Sequence, residues 1–77
     1  VSGRLPSVRG DAVVRALERS GFVVVRIKGS HHIMEHVDNP ARRTVVPVHA
    51  GRDIKRGLLR KIIDDAGLTV DEFCGLL

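Results

Sequence analysis

The chain has no tryptophan and no tyrosine, and only two phenylalanines in 77 residues. Its core must therefore be aliphatic, drawn from the Val, Ile and Leu that dominate the 43% of hydrophobic residues. The absence of aromatics among the cations also argues against stacking platforms of the kind single-strand binders use. Cys74 is the only cysteine, so no internal disulfide can form. It is read as a small buried hydrophobe in a reducing compartment. No apolar run approaches the roughly 18 residues of a membrane span, and no hydrophobic leader precedes the first charged residues. These absences lead us to expect a cytoplasmic protein with no membrane association.

Basic residues are missing from the end of the chain. Residues 62–77 hold Asp64, Asp65, Asp71 and Glu72 and no Lys or Arg, whereas residues 1–61 hold all 13 cations against five acids. Ten of those cations are arginine. A basic body of this kind suits a polyanion, most often nucleic acid, or an acidic protein. A surface that is merely soluble is the competing reading.

The length allows one domain, 1–77, which would bury only roughly 60–65% of its unfolded surface. After the lead-in at 4–10, residues 11–21 have helical periodicity, with Val13, Val14 and Leu17 on one stripe and Gly21 as the stop. "FVVVRIK" (22–28) is β-branched and reads as a strand. Gly29-Ser30 is a tight turn into a second strand, 31–37. Asp38-Asn39-Pro40 is turn chemistry, and 42–49 is a third strand; because Pro47 lacks an N–H, either this strand lies at an edge or Pro47 sits on its unpaired side. A second helix covers about 55–66, with Ile54, Leu58, Leu59, Ile62, Ile63 and Ala66 as its buried stripe. Thr69-Val70-Asp71-Glu72 has the pattern of a capping box and opens a last short helix. The order αβββα predicts an α+β fold: two helices on one face of a three-stranded antiparallel sheet, as in double-stranded-RNA-binding domains.

Four histidines could carry chemistry: His31, His32, His36 and His49. His32 and His36 share a strand face but stand roughly 13 Å apart, too far for one zinc, so neither metal nor cofactor is expected. General acid–base chemistry needs less. An imidazole gives and takes protons near neutral pH. The stretch "RIKGSHH" puts His31 beside cations Lys28 and Arg26, with Gly29 allowing close backbone approach and Ser30 able to donate to a phosphate. On local features alone, a solvated hairpin tip is the more economical reading. His49 could orient a substrate or His31, or could cap the loop that follows. Arg42, Arg43 and the arginines of 52–60 could track a phosphate backbone or form a solvated face. Alternation puts His31 with Ile33, Glu35 and Val37 on one strand face. That apolar pair suggests a face turned to the helices, with His31 at the rim of the core, and Met34 competes from the other side.

Taken together, Gly21-Phe22, Lys28-Gly29-Ser30-His31-His32, Val46-Pro47-Val48-His49 with Gly51, and the run from Gly57 to Leu77 resemble the HicA (YcfA-like) family of mRNA interferase toxins. The resemblance covers nearly the whole chain and rests on the order and spacing of the motifs. It implies a double-stranded-RNA-binding-like fold and metal-independent endoribonuclease activity on mRNA. It points to the histidine after Gly-Ser, here His31, as the catalytic group, with His49 as the histidine of the Pro-x-His motif. It also implies a HicB-type antitoxin as partner; the free toxin is expected to be monomeric. Where the family commonly has Gly-Thr at the start of the second helix, this chain has Gly57-Leu58 and so lacks a hydroxyl there. A non-catalytic RNA-binding module of the same fold is the alternative.

Overall fold

The computed structural model describes residues 5–77; Arg4, the first residue of the lead-in, lies outside them. Helix α1 runs Gly10–Arg19, followed by strands β1 (Phe22–Lys28), β2 (His31–His36) and β3 (Arg43–Pro47), then helices α2 (Arg56–Asp65) and α3 (Val70–Gly75). The strands form one antiparallel sheet in the order β1-β2-β3. Pro47 therefore ends an edge strand, where its missing N–H costs no ladder bond.

The amphipathic helices dictate where the core lies. Val13, Ala16 and Leu17 of α1 and Leu59, Ile62 and Ile63 of α2 are buried with Phe22, Met34 and Val46 of the sheet and Phe73 of α3. Each of these side chains except the smaller Ala16 contributes about 1.5–3 kcal/mol by leaving water. Both long helices cover one face of the sheet, giving the αβββα arrangement of double-stranded-RNA-binding domains with α3 appended. The lead-in also joins the core: Leu5 and Val8 are buried, and Ile54 N–H donates to the Val8 carbonyl at 2.8 Å. Thr69 and Glu72 form the reciprocal capping box that starts α3.

Three expectations are corrected. Met34 is fully buried while Val37 is 57% exposed, so the helices cover the Met34 side of β2 and not the Ile33–Val37 side. Phe22 and Met34 are in the core and Val24 packs against it, which settles an alternation that favoured neither face. His31 consequently lies on the open face and is exposed. Leu58, placed in the buried stripe of α2, is 39% exposed. Cys74 is exposed as well: α3 turns Phe73, and in part Val70, to the core, and Cys74 follows Phe73 on the outer side.

The register arranges the open face in cross-strand rows. Val23, Glu35 and Arg43 form one row, Arg26, Ile33 and Val45 the next, and Lys28, His31 and Pro47 the third. A bulge at Val25 shifts β1 by one residue between the first two rows. It keeps Arg26 and Lys28 on the same face as His31 and disrupts the outer edge of β1 as a template for another strand.

Candidate functional site

The site begins at the hairpin tip. Lys28 pairs with His31 across a two-residue turn, and Gly29 has φ +60°, the positive value that the first position of a II′ turn requires. A Cβ at Gly29 would meet nothing within 4 Å, so backbone conformation selects glycine here, not space. Ser30 ties this tip to the segment after β3. Its carbonyl accepts from Val48 N–H at 2.8 Å, and its Oγ lies 3.5 Å from His49 Nε2, at the outer limit of a hydrogen bond. Residues 18 positions apart in sequence, His31 and His49, thereby face one region.

The four histidines divide by face. His31 stands on the open face between Lys28 and Pro47. His32 points to the other side, half-buried, with Nδ1 3.3 Å from the Ser30 carbonyl. His36 is structural: its Nδ1 accepts from Asp38 N–H at 3.1 Å, so the proton sits on Nε2, which donates to the Ser20 carbonyl at 3.1 Å. Its ring stands edge-on to Phe22, with centroids 5.2 Å apart. Gly21 is needed beneath it, since a Cβ there would lie 2.8 Å from Nε2.

A groove passes His31 in two halves. His31, Pro47 and Leu58 line both. One half, about 390 Å³, lies between β3 and α2 and is walled by Val45 and Ile62, with Arg43, Lys61 and Asp65 among its polar groups. The other, about 400 Å³, is lined by His49, Arg52, Asp53 and Lys55 and leads to the start of α2. That helix start has no side-chain cap and no acid in its first turn. The capping position is Lys55, whose side chain has no acceptor for those backbone N–H groups and adds positive charge to the positive end of the dipole.

Of the residues singled out in sequence, the structure brings together Lys28, Gly29, Ser30, His31 and His49. Arg26 lies one row along the open face from His31. Arg43 lines the groove while its Nη1 pairs with Glu35 at 3.3 Å. Arg42 is elsewhere: its guanidinium donates to the Ala66 carbonyl and lies over the Phe22 ring. Pro47, Leu58 and Asp65 were not singled out for the site. Leu58 falls within an unbroken apolar stripe, and nothing local distinguishes Asp65 from a solvated acid.

A comparison with curated proteins returned no match. A family model described as the HicA toxin of bacterial toxin–antitoxin systems matches residues 10–68. That span runs from the start of α1 to just past α2 and contains every residue that lines the groove. With most of its length matched, the chain belongs to the HicA toxin family of bacterial toxin–antitoxin systems.

Proposed function

We propose that this toxin is a metal-independent endoribonuclease that cuts mRNA, with His31 as its general acid–base group. The observation that carries this reading is the position of His31: an exposed imidazole where the two halves of a groove meet, with cations on both sides. Removing the proton from a ribose 2′-OH lets O2′ attack the adjacent phosphorus. The P–O5′ bond breaks as O5′ receives a proton, leaving a 2′,3′-cyclic phosphate. An imidazole serves either proton transfer near neutral pH. Lys28, Arg26 and Arg43 offset charge building on the phosphoryl oxygens, and Ser30 and His49 hold the phosphate against His31.

The antitoxin of the pair is a HicB-type protein that covers His31. Val23, Val25 and Val45 are exposed near Arg26 and Lys28, a surface suited to an apolar and acidic partner. Its association should slow as salt rises. Activity on mRNA would place the protein in the cytoplasm, and no described helix is long and apolar enough to cross a membrane.

The test is incubation of labelled RNA with the toxin in EDTA. Fragments that vanish with His31→Ala support the proposal. RNA that is bound but never cut would favour a non-catalytic RNA-binding module.

A further inference from the structure

Helix α2 is charged against its own dipole. It has no acid in its first turn and no base in its last, and it ends on Asp64 and Asp65, where the negative end of the macrodipole disfavours carboxylates. Helix stability accounts for Asp65 only in small part, through its exposed i,i+4 pair with Lys61 at 3.2 Å, and not for Asp64. Asp64 is exposed, but Asp65 is half-buried and lines the part of the groove between β3 and α2. Breaks of local rules that no packing gain repays cluster at functional positions.

The walls of this half narrow the choice of occupant. Val45, Pro47, Leu58 and Ile62 are aliphatic. Val45 and Leu58 are large hydrophobics left 41% and 39% exposed. A phosphate gains nothing from such walls, and charge does not draw it here over the other half: each half holds two cations and one acid, Arg43 and Lys61 with Asp65 here and Arg52 and Lys55 with Asp53 there. The half beyond His31, where Arg52, Lys55, Asp53 and His49 make the lining more polar, suits it better. A nucleobase has what the apolar half lacks: flat apolar faces and an edge of donors and acceptors. The volume, about 390 Å³, falls within the range of small-molecule sites, roughly 300–1,000 Å³.

We propose that the apolar half of the groove is a nucleobase subsite next to the scissile linkage, and that Asp65 selects guanine there. The inference rests on the ribonuclease reading for its place beside a cut bond. An ionised carboxylate only accepts hydrogen bonds and has about four lone-pair sites. Lys61 Nζ approaches its oxygens at 3.4 and 3.2 Å, leaving others for a ligand. Guanine presents N1–H and N2–H side by side, two parallel donors for two oxygens. Adenine and cytosine present one amino group beside a ring acceptor. Uracil presents one N–H flanked by two carbonyls that a carboxylate repels. The order of preference is guanine first and uracil last. Because His31 lines both halves, the selected base belongs to a nucleotide bordering the attacked phosphate.

The test has a binding arm and a cleavage arm. Methyl NMR of the His31→Ala protein, titrated with guanosine 3′-monophosphate and with uridine 3′-monophosphate, follows Leu58, Ile62 and Val45. Guanosine 3′-monophosphate should shift these methyls and saturate at a concentration lower by at least about fivefold, the low end of what a bidentate base contact discriminates. Asp65→Asn should remove the difference. Sites cut in a mixed-sequence RNA by the otherwise wild-type toxin should show guanine enriched at one position beside the cut, and Asp65→Asn should abolish that enrichment. An unchanged base profile in Asp65→Asn would overturn the proposal. So would methyls that respond to the antitoxin and to neither nucleotide, which would make the groove a protein-docking site. Selective guanosine binding without any RNA cleavage would instead retain the base site and refute the ribonuclease reading.

Discussion

Arg42 closes the C-terminal end of α2 from the other side of the sequence: its Nε and Nη2 donate to the Ala66 carbonyl at 2.9 and 2.6 Å. The Phe22 ring lies 5.4 Å from the guanidinium carbon, so the charge is held over an aromatic face while it satisfies a carbonyl the helix leaves open. Lysine cannot reproduce a two-nitrogen fork. Arg42→Lys should lower stability by about 1.5–3 kcal/mol, the range for hydrogen bonds to charged groups, and leave RNA affinity per folded molecule unchanged. Arg43→Ala should do the reverse. Its ion pair with Glu35 is exposed on the arginine side and contributes about 0–1 kcal/mol, while the loss of a cation from the groove weakens RNA binding. Thermal melts paired with binding at fixed salt separate the two. Equal loss of RNA affinity in both variants would contradict this division of labour.

Gly10 and Gly57 should respond with opposite signs to the same substitution. Both lie in the first turns of helices; replacing Gly by Ala stabilises by up to about 1 kcal/mol in a helix interior, and by less at an end. At Gly57 a Cβ meets nothing within 4 Å, and Gly57→Ala should follow the ordinary rule. At Gly10 a Cβ would collide with the Pro47 carbonyl oxygen and lie 2.9 Å from Val48 Cα. Both are backbone atoms that cannot swing aside. Gly10→Ala should therefore destabilise by about 1–3 kcal/mol, the usual cost of overpacking. It should also disturb the groove, since Pro47 lines both halves. Urea melts of the two variants measure the sign directly; stabilisation by Gly10→Ala would mean that α1 does not press this closely on β3.

What was legible in the sequence was local. The hairpin around Gly29, the edge position of Pro47 and the capping box of α3 each follow from residues within a few positions of one another. The motif pieces Lys28–His31 and His49 were likewise readable as candidates. What was not legible depended on distant partners. Alternation in β2 offered Ile33 with Val37 or Met34 alone, and the choice fell to the shared core of helices and sheet that buries Met34. The apolar stripe of α2 contains Leu58 at the correct period, and only the edge of β3 decides that this leucine walls a groove. Arg42 looked like one of several surface cations because its acceptor, Ala66, is 24 residues away. Asp65 carried no local mark except its place at the wrong end of a helix dipole and Lys61 four residues before it, which reads as an ordinary surface pair.

Glu72 gives the fold an acid-sensitive element. The Thr69 backbone N–H, donating to Glu72 Oε1 at 2.8 Å, holds the Glu72 carboxyl below its ordinary value of 4.5, helped by the bond with the Thr69 side chain and, less, by the charge of Arg42. A carboxyl lowered on folding contributes stability that is fully present above its unfolded value. That contribution is lost as pH falls through the lowered folded value. Glu72→Ala should therefore melt below the wild type at neutral pH, and the gap should shrink as pH drops below 4.5. The Tm difference measured from neutral pH down to about 3 reads this out. A gap that stays constant over that range would mean the charged form of Glu72 is not what caps α3.

His31 and His32 are neighbours in sequence on opposite faces of β2, and substitution should separate chemistry from stability. His31 is exposed on the open face in the groove. His31→Ala should lower RNA cleavage by at least about 100-fold, the lower edge for loss of a general acid–base group, with little change in Tm. His32 is half-buried on the helix side, with Nδ1 3.3 Å from the Ser30 carbonyl. His32→Ala should cost about 0.5–1.5 kcal/mol for that hydrogen bond and reduce cleavage only through a looser turn, by less than about tenfold, or 1.4 kcal/mol of transition-state stabilisation. Single-turnover cleavage and thermal melts of both variants place each on the two axes. Comparable losses of cleavage at equal folded concentration would mean that the proton-transfer role does not belong to His31 alone.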